Sequence, residues 1–210
     1  MTSAHLYVLD TMADWEVGYL TAELNTGRFF AEPGSALPVR TVGATREPVR
    51  TMGGLTITPD LALDELAPEE SALLVLPGAE LWDTPEHAPA ITTAARFLDA
   101  GVPVAAICGA TIALAAAGLL DSRPHTSNDL DALKQLAPGY RGEGYYSTDV
   151  AVADGDLITA SSVAPVDFAR AALRRLGVMT PQALEAWYGL FSTQRPEYFH
   201  ALLSAVPHPA

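Results

Sequence analysis

The stretch AAICGATIALAAAGLL, residues 105–120, holds the only cysteine of the 210-residue chain, Cys108. Sulfur chemistry is what its setting suggests. Val102 to Ile107 reads as a buried strand and the segment after Cys108 as a helix, so the thiol stands where a strand turns sharply into a helix. Ala106, Gly109 and Ala110 are small enough to allow that turn. An elbow of this kind displays its side chain and sets the sulfur at a helix amino terminus, which favours the thiolate. It also points the next amide toward an oxyanion formed at the sulfur. The expectation is a thiol that titrates below the free-cysteine value of about 8.5. The competing reading is a small apolar residue filling a core, the usual fate of a lone cysteine. The strand–helix junction favours the nucleophile.

The elements that must position Cys108 follow from the pattern of apolar residues. HLYVLD (5–10) reads as a buried parallel strand, and MADWEVGYLTAELNTG as a helix with Trp15, Tyr19 and Leu20 on one face, ended near Gly27. Residues 37–44 and 49–60 look like strands, with Gly53-Gly54 interrupting and Pro59 closing the second. ALLVLPGAELWD (72–83) is the clearest strand, followed by a helix over 85–100 with Ile91, Ala94, Ala95 and Leu98 on one face. Ile112 to Leu120 is apolar on every side, which predicts a helix at the centre of the molecule. Residues 145–160 alternate and turn at Asp154-Gly155, a hairpin feeding a last core strand. PVDFARAALRRL (165–176) places Val166, Ala169, Leu173 and Leu176 inward, and a helical tail over 180–210 closes a single domain spanning 1–210. Strands alternating with helices predict a doubly wound α/β fold, a mostly parallel sheet covered on both faces. Chemistry then gathers at the carboxyl ends of the strands. Three such ends matter: those before DTMADWE, before PGAELW and before Cys108.

Composition narrows the function classes. Nearly half the residues are apolar, ample for a continuous core. A net charge of −13, with 12 scattered Lys and Arg, argues against nucleic acid, which needs a clustered basic surface. No apolar run reaches the roughly 18 residues of a membrane helix, and the N-terminus lacks a signal-peptide pattern. One cysteine forms no internal disulfide, so a cytoplasmic protein is expected. No spacing of His, Cys and acids suggests a metal, and thiol chemistry of this kind calls for no cofactor.

Taken together, AICGAT, LVLPGAELW and ADWE resemble the ThiJ/PfpI family of the class I glutamine amidotransferase-like superfamily, from the first strand to about residue 178. RPHTSNDLDALKQLAPGY and LITASSVAPVDFA resemble its bacterial type 1 glutamine amidotransferase-like branch. The resemblance implies a flavodoxin-like sheet and a glutamate from the first helix, Glu16, hydrogen-bonded to the elbow cysteine. A carboxyl buried beside a thiolate is pushed toward its neutral form and can donate to sulfur. The resemblance also implies an oxyanion hole from the amides of Ala79 and Gly109, with Ala79 standing where the family usually has a second glycine. Histidine is the larger departure. Many relatives carry it directly after the nucleophile, where this chain has Gly109. Deglycase-type relatives carry it in the loop after the elbow helix, where an ungapped alignment gives Ser127. His125 shares the parity of Ser127 on an extended segment, so a small shift would bring it in as base or orienter. The other reading leaves His125 on the loop surface, and His5, His87, His200 and His208 are expected to be bystanders.

The implied chemistry is attack by sulfur on a carbonyl-like carbon of a small molecule: an amide, a 2-oxoaldehyde or an isonitrile. Glutaminase activity itself is not expected, since SSVAPVDFA lacks the His-x-Glu of that triad. The alternatives are a redox sensor in which Cys108 is oxidised beside Glu16, and a partner-binding protein with a vestigial cysteine. A homodimer is expected, because relatives pair and because Trp187, Tyr188, Phe191 and Phe199 look like an exposed apolar patch.

Overall fold

The computed structural model describes residues 2–206. The apolar runs become strands β1 (Ser3–Tyr7), β2 (Val39–Gly43), β5 (Leu61–Ala62), β6 (Ser71–Leu76), β7 (Val104–Ile107), β8 (Ala151–Asp154) and β9 (Leu157–Ala160). They form one seven-stranded sheet in the order β5-β2-β1-β6-β7-β9-β8. Every pairing is parallel except β8 with β9, joined through the tight turn at Gly155 (φ 58°). The five long parallel strands follow the flavodoxin-like order, whose switch point lies between β1 and β6. The carboxyl ends of β1, β6 and β7 are therefore neighbours. Strands β3 (Val49–Arg50) and β4 (Thr56–Ile57) form a separate antiparallel hairpin.

The helices are α1 (Asp14–Thr26), α2 (Ala88–Asp99), α3 (Gly109–Ala116), α4 (Leu130–Leu136), α5 (Pro165–Leu176), α6 (Pro181–Thr193) and α7 (Pro196–Ala205). Helix α1 ends where the sequence indicated, with Gly27 left-handed and its N–H bonded to Glu23 O. Its buried face differs from the expected one: Glu16, Val17, Leu20, Glu23 and Leu24 point inward, while Trp15 is half exposed. No helix among the described residues is long and apolar enough to cross a membrane.

Two expectations need correction. Helix α3 is not central. Thr111, Leu114 and Ala115 are buried, but Ala116 is exposed and Ile112 half-buried. Its outer side lines an apolar groove of about 660 Å³ with Trp82, Ile91 and Leu119. An all-apolar helix has no polar face to reveal which side meets water, and alanine tolerates either. The tail aromatics do not form an exposed patch either. Trp187 is fully buried, donates from Nε1 to Glu23 Oε1 at 2.9 Å and packs on Phe191 and Tyr19. Tyr188 lies under the Arg170 guanidinium, and only Phe199 of the four is exposed. Trp187 and Phe191 pack on α1, at Tyr19 and Glu23.

The asymmetry of α3 gives a measurable contrast. Leu114→Ala should cost about 2–5 kcal/mol in denaturant unfolding. Ala116→Ser, on the outer side, should cost within about 0.5 kcal/mol. A centrally buried α3 would penalise both.

Candidate active site

Cys108 adopts φ 58° and ψ −124°, a backbone state that a residue with a side chain holds only when its surroundings impose it. The imposition is visible on both sides. Its N–H donates to Ala160 O at 3.0 Å, the last rung between β7 and β9. Its carbonyl accepts from Thr111 N–H at 3.0 Å and from the Thr111 hydroxyl at 2.6 Å, which starts α3. The sulfur is left half-buried above the strand ends.

Glu16 reaches this sulfur from the first turn of α1, and it is fully buried. Oε2 accepts from Gly78 N–H at 2.6 Å. Oε1 is buried and has no nitrogen or oxygen partner, so its polar neighbour is the Cys108 sulfur. The space for this pair exists because residue 78 has no side chain. A Cβ there would stand 2.7 Å from both Glu16 Oε1 and Cys108 Cβ. Gly109 is forced in the same way, since a Cβ would lie 2.6 Å from Ala79 O and 3.3 Å from Trp82 Cδ1.

The loop after β6 is pinned almost everywhere. Gly78 O accepts from Ala13 N–H at 2.9 Å, Pro77 O from Trp82 Nε1 at 2.8 Å, and Glu80 N–H donates to Thr11 Oγ1 at 2.9 Å. Among the described residues, the Ala79 N–H between them has no acceptor. The Gly109 N–H faces its neighbour's sulfur. These are the two amides the sequence singled out, packed against each other beside Cys108.

The histidine expected at the sulfur is elsewhere. His125 is fully buried, with Nδ1 2.8 Å from Arg123 O and Nε2 2.6 Å from the Tyr140 hydroxyl. A carbonyl only accepts, so Nδ1 carries the proton and Nε2 accepts from Tyr140. Burial pushes the imidazole pKa below its ordinary value. Both nitrogens are occupied, so the two-residue shift that would bring His125 to Cys108 does not occur. Ser127 is held by the Thr111 hydroxyl at 2.6 Å. The residue that arrives instead is Asn128, which sequence reasoning missed. Its Nδ2 donates to the sulfur at 3.3 Å, while Oδ1 accepts from Ser162 N–H at 2.8 Å and thereby fixes which end of the amide faces the thiol. The signal was the opposite parity, 126 and 128, on the same extended segment. His5 and His87 are buried on Ser71 and Tyr7, His200 is exposed, and His208 lies outside the described residues.

Electrostatics correct the expected thiol. Burial pushes the Cys108 pKa above its ordinary value, and the Glu16 charge adds to that, against the opposing donors of Asn128 and Gly109. Burial pushes Glu16 up as well. The two groups titrate as a pair. The helix terminus alone does not overcome burial. Among the described residues, no three His, Cys, Asp or Glu side chains converge to hold a metal.

The sequence profile of the DJ-1/PfpI family matches residues 2–175. The chain is 46% identical over 202 residues to a Bacillus subtilis protein named uncharacterized protease YoaZ, covering 96% of each. Over 77 residues it is 43% identical to deglycase TK1284 of Thermococcus kodakarensis, covering 35% of this chain and 45% of that protein. The crystal structure of a thiJ/pfpI family protein from Bacillus anthracis superposes with a TM-score of 0.95 at 48% identity, covering 98% of this chain and 97% of that one.

Glu16→Gln removes a negative charge beside the sulfur and keeps a hydrogen-bond donor. The pH midpoint of Cys108 alkylation by iodoacetamide, followed by intact mass, should therefore move down relative to the native protein. A midpoint that rises or stays would mean that Glu16 does not face the thiol.

Proposed function

The chain belongs to the DJ-1/PfpI family, and from that premise we propose a cysteine-dependent enzyme that adds Cys108 sulfur to the carbonyl of a small 2-oxoaldehyde. The observation that carries the reading is the divided role of Glu16. One carboxyl oxygen is tied to Gly78 N–H and the other, unpartnered, faces the sulfur. This is the placement of a proton carrier, and burial, which raises the carboxyl pKa above its ordinary value, favours the protonated form it would carry.

The steps balance without an outside oxidant. The thiol adds across the aldehyde C=O: a C–S bond forms, the S–H proton passes to Glu16, and the oxyanion meets the Ala79 and Gly109 amides. Glu16 returns that proton to the oxyanion, giving a hemithioacetal. It then relays the proton from the thiol-bearing carbon to the neighbouring carbonyl carbon, while the hydroxyl proton passes from the first oxygen to the second. The first carbon rises to a thioester and the second falls to an alcohol. Water hydrolyses the thioester, giving a 2-hydroxy acid and the free thiol. Asn128 holds the sulfur in place by donation and takes no proton.

An amide substrate is less well served. Its leaving amine needs a proton donor on the side away from the sulfur, and His125, the nearest candidate by sequence, has both nitrogens occupied. The partial likeness to a protein named deglycase agrees with a carbonyl substrate. A second reading rests on the same groups: the Glu16 carboxyl, whose pKa burial raises, and the Asn128 amide would also stabilise a sulfinate formed at Cys108 by peroxide, as in a redox sensor.

Methylglyoxal is the test substrate. The protein should convert it to lactate without added cofactor, and Cys108→Ser should abolish this. Glu16→Gln should lower turnover by about 10²-fold or more while leaving the thiol alkylable. A native protein that does not consume methylglyoxal, or a Glu16→Gln variant with native turnover, overturns the proposal. Cys108 sulfinate after about two equivalents of peroxide, without methylglyoxal turnover, would favour the sensor.

A further inference from the structure

Three residues with side chains hold positive φ among the described residues: Thr11, Cys108 and Gln194. Gln194 closes α6, a usual place for the left-handed state. Cys108 is the elbow. Thr11, at φ 64°, is the unexplained one. It is β-branched, the class of residue least suited to this conformation, at a position in the β1–α1 turn where glycine would sit without strain.

We propose that Thr11 is a positioning residue for the Ala79 amide, an inference that rests on the reading of that amide as part of an oxyanion hole. Its hydroxyl is what a glycine would lack. Thr11 Oγ1 accepts from Glu80 N–H at 2.9 Å, and Glu80 directly follows Ala79. On the other side of Ala79, Gly78 N–H is held by Glu16 and Gly78 O by the Ala13 amide. The peptide units before and after Ala79 are thus both fastened to one short stretch, Thr11 to Glu16. The remaining free group, the Ala79 N–H, has its direction set by those fastenings. The strain at Thr11 is imposed from outside the loop. Its own N–H donates to Arg50 O at 2.9 Å, and Met12 O accepts from Met52 N–H at 2.9 Å, so the β3–β4 hairpin braces the turn from behind. Releasing the hydroxyl frees the Ala79–Glu80 peptide to rotate. The Ala79 carbonyl packed on Gly109 would move with it.

The test compares Thr11→Ser, which keeps the hydroxyl, with Thr11→Val, which keeps shape and strain, and Thr11→Gly, which relieves the strain. Three readouts are needed: hydrogen exchange of the Glu80 backbone amide by NMR, kcat and KM with methylglyoxal, and the pH profile of iodoacetamide alkylation. Thr11→Ser should match the native protein. The Val and Gly variants should exchange the Glu80 amide about 10-fold faster or more and lose about 10-fold or more in kcat with little change in KM, the pattern of a displaced oxyanion donor. Their alkylation profiles should stay native, because the thiol and Glu16 are untouched. Thr11→Gly should melt no lower than Thr11→Val, which separates positioning from general destabilisation. Native exchange or native kcat in folded Thr11→Val overturns the proposal, as does a Thr11→Ser variant impaired as much as Thr11→Val. If the native protein turns over no methylglyoxal, the functional reading fails, and amide exchange alone decides whether Thr11 holds the loop.

Discussion

Everything at the candidate site depends on one buried carboxyl meeting two groups at once. Glu16 spends one oxygen on the Gly78 amide and turns the other to the Cys108 sulfur. Those two demands fix three strand ends relative to one another: α1 supplies the acid, the β6 loop its tether, and the β7 elbow the thiol. The tether also answers a solvation problem. A carboxyl removed from water needs donors, and here one backbone N–H and one thiol are the donors within reach. The thiol faces the same problem, so burial raises both groups and neither titrates alone.

The sheet makes this meeting routine rather than fortuitous. In the flavodoxin-like order, β1 and β6 are adjacent at the switch point and β7 is next, so their carboxyl ends open onto one crevice. The close approach then falls to glycines. Gly78 and Gly109 have negative φ and are needed for contact rather than for turning. The turning is done under strain by Cys108 itself.

What the sequence disclosed was whatever depends on chain neighbours. The elbow was legible because small residues flank Cys108 between an apolar strand and an apolar helix. The strand–helix alternation likewise led to a parallel sheet with its hairpin edge. Glu16 needed the family resemblance, because nothing near Trp15 and Val17 says that a carboxylate between them is buried. His125 and Asn128 were not separable in advance. They lie on one extended segment with opposite parity, and which side faces the sulfur is settled by partners distant in sequence: Tyr140 for the histidine, Ser162 for the asparagine. The direction of the thiol pKa was missed for a related reason. A helix amino terminus is a local feature, whereas desolvation sums over the whole fold. The tail aromatics looked exposed because Trp187's partner, Glu23, stands 164 positions earlier.

That last contact joins two ends of the chain that the family profile separates, since its match stops at residue 175. Glu23 is buried on α1, two turns beyond Glu16, and its carboxylate is shared by Arg28 and the Trp187 indole. A chain cut at 175 would keep every residue named at the thiol, yet strip the indole from a buried carboxylate on the helix that delivers Glu16. The boundary of a family and the boundary of a working unit need not coincide. The C-terminal helices buttress α1 at Tyr19 and Glu23, so the helix that delivers Glu16 is held partly by residues beyond the family match.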